Sequence, residues 1–239
     1  MATSLTALEI VQRTVNLLGI TTAPTSIVGT TDPQITNLLA ILNDAGQDLA
    51  SRHNWSSLME TMSFTSTGVD PQAEPLPADY DRTRSNASLW RSGSLLTPLS
   101  GPCPPDIWHR LLVMPGIRFP GYWRMFGGNI EIIGAPSGET VTVEYMGNGW
   151  VTDGVDGSVK TSASKDSDTF KLPSRLLSLA MIWNWRSTKG LTYAEELTSF
   201  ERQFERDVAA DRSARPVALD RPFRSDAHLR TWPGAVITS

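Results

Sequence analysis

Four aspartates are the residues of this 239-residue chain whose spacing best suits chemistry: Asp153, Asp156, Asp166 and Asp168. They lie in a stretch rich in glycine and serine, GWVTDGVDGSVKTSASKDSD. Two carboxylates held about 5–10 Å apart can hydrolyse a glycosidic bond, and acids spaced along a loop can bind calcium. The stretch lacks the residue set of an EF-hand loop, however. We interpret the four as solvated acids in turns, and predict neither catalysis nor metal binding there.

Three histidines and one cysteine are the other side chains that could do chemistry. His53, His109 and His228 are far apart in the sequence and share no metal-ligand spacing. The motifs HExxH and GxSxG and a phosphate-binding loop do not occur. Cys103 lies between prolines, without basic neighbours that would favour its thiolate. The sequence therefore predicts no catalytic residue, no metal site and no bound cofactor, and the protein is not expected to be an enzyme.

The eight tryptophans are scattered along the chain, so they do not form a repeated sugar-binding or base-stacking set. Most of them are expected in the core. Trp183 and Trp185 lie two residues apart on one predicted helix and therefore point to different sides of it. We predict that one of this pair contacts a neighbouring subunit.

Composition predicts a folded protein without a membrane span. Hydrophobic residues are 40% and charged residues 19% of the chain, and no apolar run approaches the roughly 20 residues that cross a bilayer. The first residues lack the features of a signal peptide, and a single cysteine is typical of synthesis in a reducing cytoplasm. The net charge of −4 argues against a protein that grips nucleic-acid phosphates. Arginine outnumbers lysine, which is typical either of interfaces or of GC-rich coding.

Both ends of the chain have helical periodicity. Residues 5–18 form one amphipathic pattern with capping-box spacing between Thr6 and Glu9, and Gly19 ends it. A second pattern begins at Asp32-Pro33 and continues to about His53. Pro173 begins a third segment that is apolar on nearly all sides and ends at Gly190, which predicts the buried centre of a bundle or a subunit contact. A fourth, with capping-box spacing between Thr192 and Glu195, continues to about Arg212.

The middle of the chain is rich in proline and glycine and has strand patterns. Residues 139–146 alternate between apolar and polar side chains, which predicts a half-buried strand. Gly127-Gly128 separates two short apolar runs and predicts a hairpin. Residues 58–66 predict another strand, and residues 105–113 predict a short helix.

These patterns predict an α+β fold in which helices from both ends of the chain form one antiparallel bundle with an inserted antiparallel β-sheet lobe. The predicted division assigns 1–54 and 166–212 to the bundle and 55–165 to the β-rich lobe. Residues 213–239 contain three prolines and no clear periodicity, and they predict an extended C-terminal arm.

The order and spacing of these segments resemble the head-to-tail adaptor (connector, or tail tubular) proteins of tailed bacteriophages, from about residue 5 to residue 212. The resemblance rests on TALEIVQRTVNLLGI with LLAILNDAGQDLA, on LPADYDR, and on three longer stretches near the C-terminus. Those stretches are IEIIGAPSGETVTVEYMGNGWV, DSDTFKLPSRLLSLAMIWNWR and KGLTYAEELTSFERQFERDVA. The central CPPDIWHRLLVMPGIRFPGYW matches the family pattern less well.

The resemblance implies a structural virion protein at the head–tail junction, assembled as a homo-oligomeric ring of about twelve copies. Such a ring docks beneath the portal protein, extends the channel through which genomic DNA passes without specific binding, and provides the attachment surface for the next tail component, a nozzle or tail tube. In similar adaptors a C-terminal arm reaches the portal. The resemblance therefore implies that six residues of the arm contact the portal: Arg215, Arg221, Phe223, Arg224, Arg230 and Trp232.

Two other classes of protein remain as alternatives. One is a tail terminator or another minor structural virion protein. The other is a cell-wall (peptidoglycan) hydrolase, for which the four aspartates would be the candidate residues.

Overall fold

A computed structural model of the protein describes residues 5–20, 23–84, 87–114 and 121–211. The described chain contains five α-helices: α1 (Ala7–Leu18), α2 (Pro33–Arg52), α3 (Pro105–Val113), α4 (Ser174–Thr188) and α5 (Ala194–Asp211). Its strands are β1 (Met59–Thr65), β2 (Gln72–Pro75), β3 (Tyr80–Arg82), β4 (Leu89–Arg91), β5 (Ser94–Leu99), β6 (Tyr122–Phe126), β7 (Asn129–Ile133), β8 (Thr140–Gly147), β9 (Val151–Thr152), β10 (Val159–Lys160) and β11 (Thr169–Phe170). The predicted α+β class, with helices towards both ends of the chain and antiparallel sheets, is confirmed.

The first two helices begin where their capping residues predict. At α1, the Thr6 hydroxyl accepts a hydrogen bond from the Glu9 N–H, and the Glu9 carboxylate accepts one from the Thr6 N–H. Gly19 ends this helix with a φ of 62°, a conformation that glycine adopts without strain. At α2, the Asp32 carboxylate accepts a hydrogen bond from the Gln34 N–H at 2.8 Å. Local hydrogen bonding thus fixes the start of both helices.

Helix α4 is the centre of the bundle, because α1, α2 and α5 all pack against it. Its buried residues lie on several sides: Leu176, Leu177, Ser178, Ala180, Met181, Ile182 and Trp185. The prediction of a helix surrounded by other elements is therefore confirmed. Helix α5 lies outside it, with only Phe200 fully buried.

The predicted capping box at the start of α5 is wrong. The helix begins at Ala194, and its first carbonyl acceptor is Tyr193, which accepts a hydrogen bond from the Leu197 N–H at 2.9 Å. Thr192 therefore lies one residue before the N-cap position and cannot form the box with Glu195.

Two sheets face each other in the middle of the chain. The larger has the order β1-β8-β4-β5, with β3 also paired to β8, and the smaller has the order β2-β7-β6. Strand β8 buries Val141 and Val143 towards the smaller sheet, while Thr140 and Glu144 are exposed, so the predicted alternation is confirmed. The β6–β7 hairpin turns at Gly127-Gly128 as predicted. Helix α3 covers the other side of the smaller sheet through Trp108 and Leu111.

A third sheet, β10-β9-β11, belongs to the hydrophobic core of the helices. The Trp150 indole stacks on Phe170 and lies against Gly46 of α2, where an added methyl group would come within 2.1 Å of the ring. Val151 and Ala163 join the same core, although both fall within 55–165. The division of the chain into 1–54, 55–165, 166–212 and 213–239 stays a proposal, and the predicted arm lies outside the described residues.

None of the helices in the described ranges is both long and apolar enough to cross a membrane.

Candidate functional site

The antiparallel pairing of β9 with β11 brings two of the four predicted acids together. Thr152 pairs with Thr169, so Asp153 and Asp168, which continue the two strands, lie at the same end of the sheet. Strand β10 pairs with the other edge of β9, with Lys160 opposite Val151, and the Lys160 ammonium reaches both aspartates. The sheet therefore assembles a compact cluster of two aspartates and a lysine from residues that are up to 15 positions apart.

Ion pairs and hydrogen bonds fill this cluster. The Lys160 ammonium lies 2.9 Å from Asp153 Oδ2 and 2.8 Å from Asp168 Oδ2. The Lys165 ammonium adds a second contact to Asp153 at 2.8 Å. Asp168 also accepts hydrogen bonds from the backbone N–H groups of Ser164 and Lys165, at 2.8 and 2.9 Å. The Oδ1 atoms of Asp153 and Asp168 accept from Lys165 and Lys160, both at 2.9 Å. Every carboxylate oxygen in the cluster therefore has a donor.

The interpretation of these acids as solvated was wrong for Asp153 and Asp168, which are 6% and 0% exposed. It holds for Asp156, whose exposed side chain only accepts a hydrogen bond from the Ser158 N–H. Sequence reasoning also missed Lys160 and Lys165. Two lysines in the same stretch as the acids indicate that ion pairs could form there, because buried charges are paired, but they do not indicate which acids are buried.

The cluster holds both buried carboxylates in their ionised form. Hydrogen bonds from Lys165 and Lys160 lower the pKa of Asp153. Burial raises the pKa of Asp168, but hydrogen bonds from Lys160 and from backbone N–H groups outweigh it and lower the pKa below its usual value. Hydrolysis of a glycosidic bond needs one carboxylic acid that keeps its proton. This arrangement does the opposite, and its geometry is that of a structural ion-pair cluster.

The same loop joins the third sheet to the start of the bundle. The N–H groups of Ala7 and Leu8, in the first turn of α1, donate to the carbonyls of Asp168 and Asp166 at 2.7 and 3.1 Å. The Asp166 carboxylate accepts from the N–H groups of Ile27 and Val28. The acid-rich loop therefore positions α1 and the segment that leads to α2.

A second polar cluster contains a serine, a histidine and an aspartate, but not in the order of a catalytic triad. Asp211 lies between the other two: its carboxylate accepts hydrogen bonds from the Ser56 hydroxyl and N–H and pairs with His53 Nε2 at 3.1 Å. A triad needs the histidine between the serine and the acid. Burial raises the pKa of Asp211, but the bonds from Ser56 and His53 outweigh it and lower the pKa. The cluster holds the end of α5 against the start of the β-rich region.

Cys103 is partly buried, and this burial raises the pKa of its thiol. Its sulfur lies 3.6 Å from the Ser100 carbonyl. Because the thiolate is the reactive form, this environment is that of an inert cysteine. Within the described ranges, no three His, Cys, Asp or Glu side chains are grouped as metal ligands.

The two tryptophans predicted at a subunit interface have different environments. Trp185 is 8% exposed and belongs to the core of the bundle. Trp183 is only partly buried and packs against Tyr193 and Phe200. Their role at an interface stays a prediction. The six residues predicted for the portal-binding arm, Arg215, Arg221, Phe223, Arg224, Arg230 and Trp232, lie outside the described residues.

The segment LPADYDR joins the larger sheet to the bundle. The Arg82 guanidinium donates to the carbonyls of Ala50 and His53 at the C-terminal end of α2, at 3.0 and 3.1 Å. The Tyr145 hydroxyl donates to Asp79 at 2.9 Å, and burial together with that carboxylate raises the pKa of Tyr145 to about 12. This segment is therefore structural, as are the polar clusters described above.

A bundle joined to a β-sandwich, with polar clusters that are satisfied internally, has the character of a scaffold for assembly. The comparison with known families gives the class more closely: the family model for the SU10 adaptor protein matches residues 5–225. The chain belongs to this family of phage adaptor proteins, and it is a structural component of the virion that interacts with other head and tail components. No curated protein matches the chain.

Proposed function

We propose that this adaptor assembles as a ring of about twelve copies at the head–tail junction. The ring docks beneath the portal protein, extends the channel for genomic DNA, and carries the attachment surface for the nozzle or tail tube. Membership of the adaptor family supports the role in the virion. The net charge of −4 fits a channel through which DNA passes without being held.

The observation that supports a ring is an exposed apolar surface at one end of the bundle. Three residues there remain exposed: Leu17 at the end of α1 by 61%, and Leu191 and Tyr193 before α5 by 49% and 38%. Trp183 lies beside Tyr193 and extends this bundle-end surface. Leu18, Ile20 and Leu191 line one depression there, which places the ends of α1 and α4 together. Exposed apolar patches mark interaction sites in proteins. A neighbouring copy of the chain would cover this surface in a closed ring.

A double substitution tests this interface. Leu191→Glu with Tyr193→Glu should leave a folded chain, because both side chains are exposed and only the contact of Tyr193 with Trp183 is lost. It should nevertheless prevent assembly by placing charges in an apolar contact. Val69→Glu is the matched control, because Val69 is 66% exposed in the β-rich region. The measurement is the number of copies on purified portal complexes, by electron microscopy. Normal rings from the double variant would show that subunits meet elsewhere.

The second part of the proposal is that residues 213–239 form the portal-binding arm. An extended segment of this length would reach on the order of 90 Å, enough to cross onto another protein. Its prolines reduce the conformational entropy lost on binding. Arg215, Arg221, Arg224 and Arg230 would pair with acidic grooves of the portal. Phe223 and Trp232 would be its apolar anchors.

Truncation after Arg212 tests the arm. The shortened chain should fold, because every described element ends by Asp211, but it should not bind isolated portal. Filled heads that receive it should leak DNA, since no ring would be seated. If the shortened chain binds portals as tightly as the full chain, the contact lies on the bundle instead.

We also propose that the protein has no enzymatic activity of its own. Purified adaptor should leave peptidoglycan intact, because the carboxylates of Asp153 and Asp168 are ionised and paired with lysines. Release of soluble fragments from cell walls, abolished by Asp153→Asn, would contradict this.

A further inference from the structure

A cleft on the solvent-facing side of the larger sheet has an exposed tryptophan on its lining. Trp90 of β4 is 45% exposed and is paired with Thr142 of β8. Arg84 and Glu144 line the same cleft, which has a volume of about 300 Å³. Tryptophan and arginine are enriched among the residues that contribute most of the binding energy at protein interfaces. We call this the Trp90 cleft.

The two charged side chains of the Trp90 cleft are not paired with each other or with other groups of the described chain. Both are exposed. Among the described residues, the Arg84 guanidinium has only a contact with the Met59 sulfur at 3.7 Å, and the Glu144 carboxylate has no hydrogen bond or ion pair. The Trp90 cleft therefore presents a positive charge, a negative charge and an aromatic ring to whatever binds there.

A second cleft lies between the Trp90 cleft and the end of α5. Arg84 lines both clefts, and the second is also lined by Met59, Ser56 and Asp211. The hydrogen bonds from Ser56 and His53 hold Asp211 at this position. Asp211, the last described residue, therefore lies beside a surface that continues to Trp90.

We propose that residues 212–225 of the same chain bind in the Trp90 cleft. This inference rests on the proposed arm and revises it. Arg215, Arg221, Phe223 and Arg224 would bind the chain's own sheet, and the remainder from residue 226, with Arg230 and Trp232, would reach the portal. Trp90 pairs with Thr142, and Met59 pairs with Met146, four residues further along β8. The distance along the strand between these two positions is about 13 Å. Asp211 contacts Ser56, three residues before Met59, so the path from Asp211 to Trp90 is longer than this by that turn. Residues 212–225 span about 46 Å when extended, which is enough to reach the tryptophan.

Charge and composition favour this occupant. Residues 212–225 contain four arginines and one aspartate, whereas the whole chain has a net charge of −4. Arg215 would pair with Glu144, and Asp220 with Arg84. Prolines bind aromatic-lined grooves because their backbone is already extended. The family model also continues to residue 225, 14 residues beyond α5, which agrees with a role for this stretch in the body of the adaptor.

Crosslinking in the full chain tests the proposal. In a Cys103→Ser background, Ser88→Cys and Val217→Cys would be treated with a short bismaleimide, and the products identified by mass spectrometry. Ser88 lines the Trp90 cleft, so we expect an intrachain crosslink. Val113→Cys with Val217→Cys is the control, because Val113 is 79% exposed on α3.

Trp90→Ala should lower the yield of the intrachain crosslink at least about tenfold, the effect of losing one well-packed anchor. Phe126→Ala, which removes another exposed aromatic side chain, should not change the yield. Equal yields from the Ser88 and Val113 pairs, or crosslinks only between chains, would overturn the inference; the second result would assign the cleft to a neighbouring copy.

A chain that ends at Ser225 separates this inference from the proposed function. It should keep the intrachain crosslink but bind portal weakly. If the crosslink is absent while truncation after Arg212 still abolishes portal binding, the arm binds the portal but residues 212–225 do not bind in the Trp90 cleft.

Discussion

The helical bundle and the acid-rich loop pack against each other, yet they are stabilised by different forces. The bundle buries apolar side chains around α4 on several sides. The loop between β9 and β11 instead places two carboxylates and a lysine in a cluster whose aspartates are as buried as the core. The hydrophobic effect is non-directional, whereas a buried charge is tolerated only when each of its partners is present. The loop should therefore be more sensitive to single polar changes and to pH.

The largest effect is expected in the bundle. Trp185→Ala should lower the free energy of unfolding by about 3–5 kcal/mol, because it leaves a large cavity in a packed core. Urea unfolding followed by circular dichroism measures this. Trp183→Ala should cost less, since Trp183 is only partly buried. Equal costs for the two variants would mean that both sides of α4 are packed alike.

Asp168→Asn should have the next largest effect, about 2–3 kcal/mol. The change removes one partner of a buried pair, and the partial exposure of Lys160 reduces the cost. Because Asp168 also holds the loop that contacts α1, amide hydrogen exchange should rise at Ala7 and Leu8. Exchange confined to the loop would show that the cluster does not stabilise α1.

Gly46→Ala examines the contact between the two regions. In an open helix this change would stabilise the chain by up to about 1 kcal/mol. Here the new methyl group would overlap the Trp150 ring, so we expect a net loss of about 1–3 kcal/mol. Gln47→Ala, an exposed position on the same helix, is the control and should change little. A stabilised Gly46→Ala chain would place Trp150 elsewhere.

The pH dependence of unfolding should separate the two regions more finely. The folded pKa of Asp168 lies below its unfolded value of about 3.9. Its contribution to stability is therefore present above about pH 4 and is lost as the pH falls through the folded pKa. The cost of Asp168→Asn should shrink between pH 4 and pH 2, while the cost of Trp185→Ala should stay constant. A constant difference for both variants would contradict the charged cluster.

The smallest effect is expected for Asp156→Asn, which should leave stability nearly unchanged because Asp156 is exposed and outside the ion pairs. A loss comparable to that of Asp168→Asn would mean that the loop responds to its total charge, not to particular contacts.

The contrast between the bundle and the acid-rich loop explains which features the sequence could predict. Capping at Thr6 and Asp32, the period of the helices, and the alternation around Val141 are local, and each was predicted correctly. The cluster of Asp153 with Asp168 depends on the register of short strands, which no local pattern reveals. Ion pairing changes which side chains can be buried, so the rule that aspartates in glycine-rich loops are solvated does not apply there. The Asp211 cluster was missed for the same reason, since its members are about 155 positions apart.

The central position of α4 has a consequence for the order of events during synthesis. Helices α1 and α2 leave the ribosome long before residues 174–188, against which they pack. The two facing sheets are completed by Gly147, so they can form while the apolar sides of the first helices still have no partner. We expect the nascent chain to expose those sides until α4 is made. Chaperone binding to ribosome-bound chains should therefore persist after the sandwich has folded and fall once α4 has emerged.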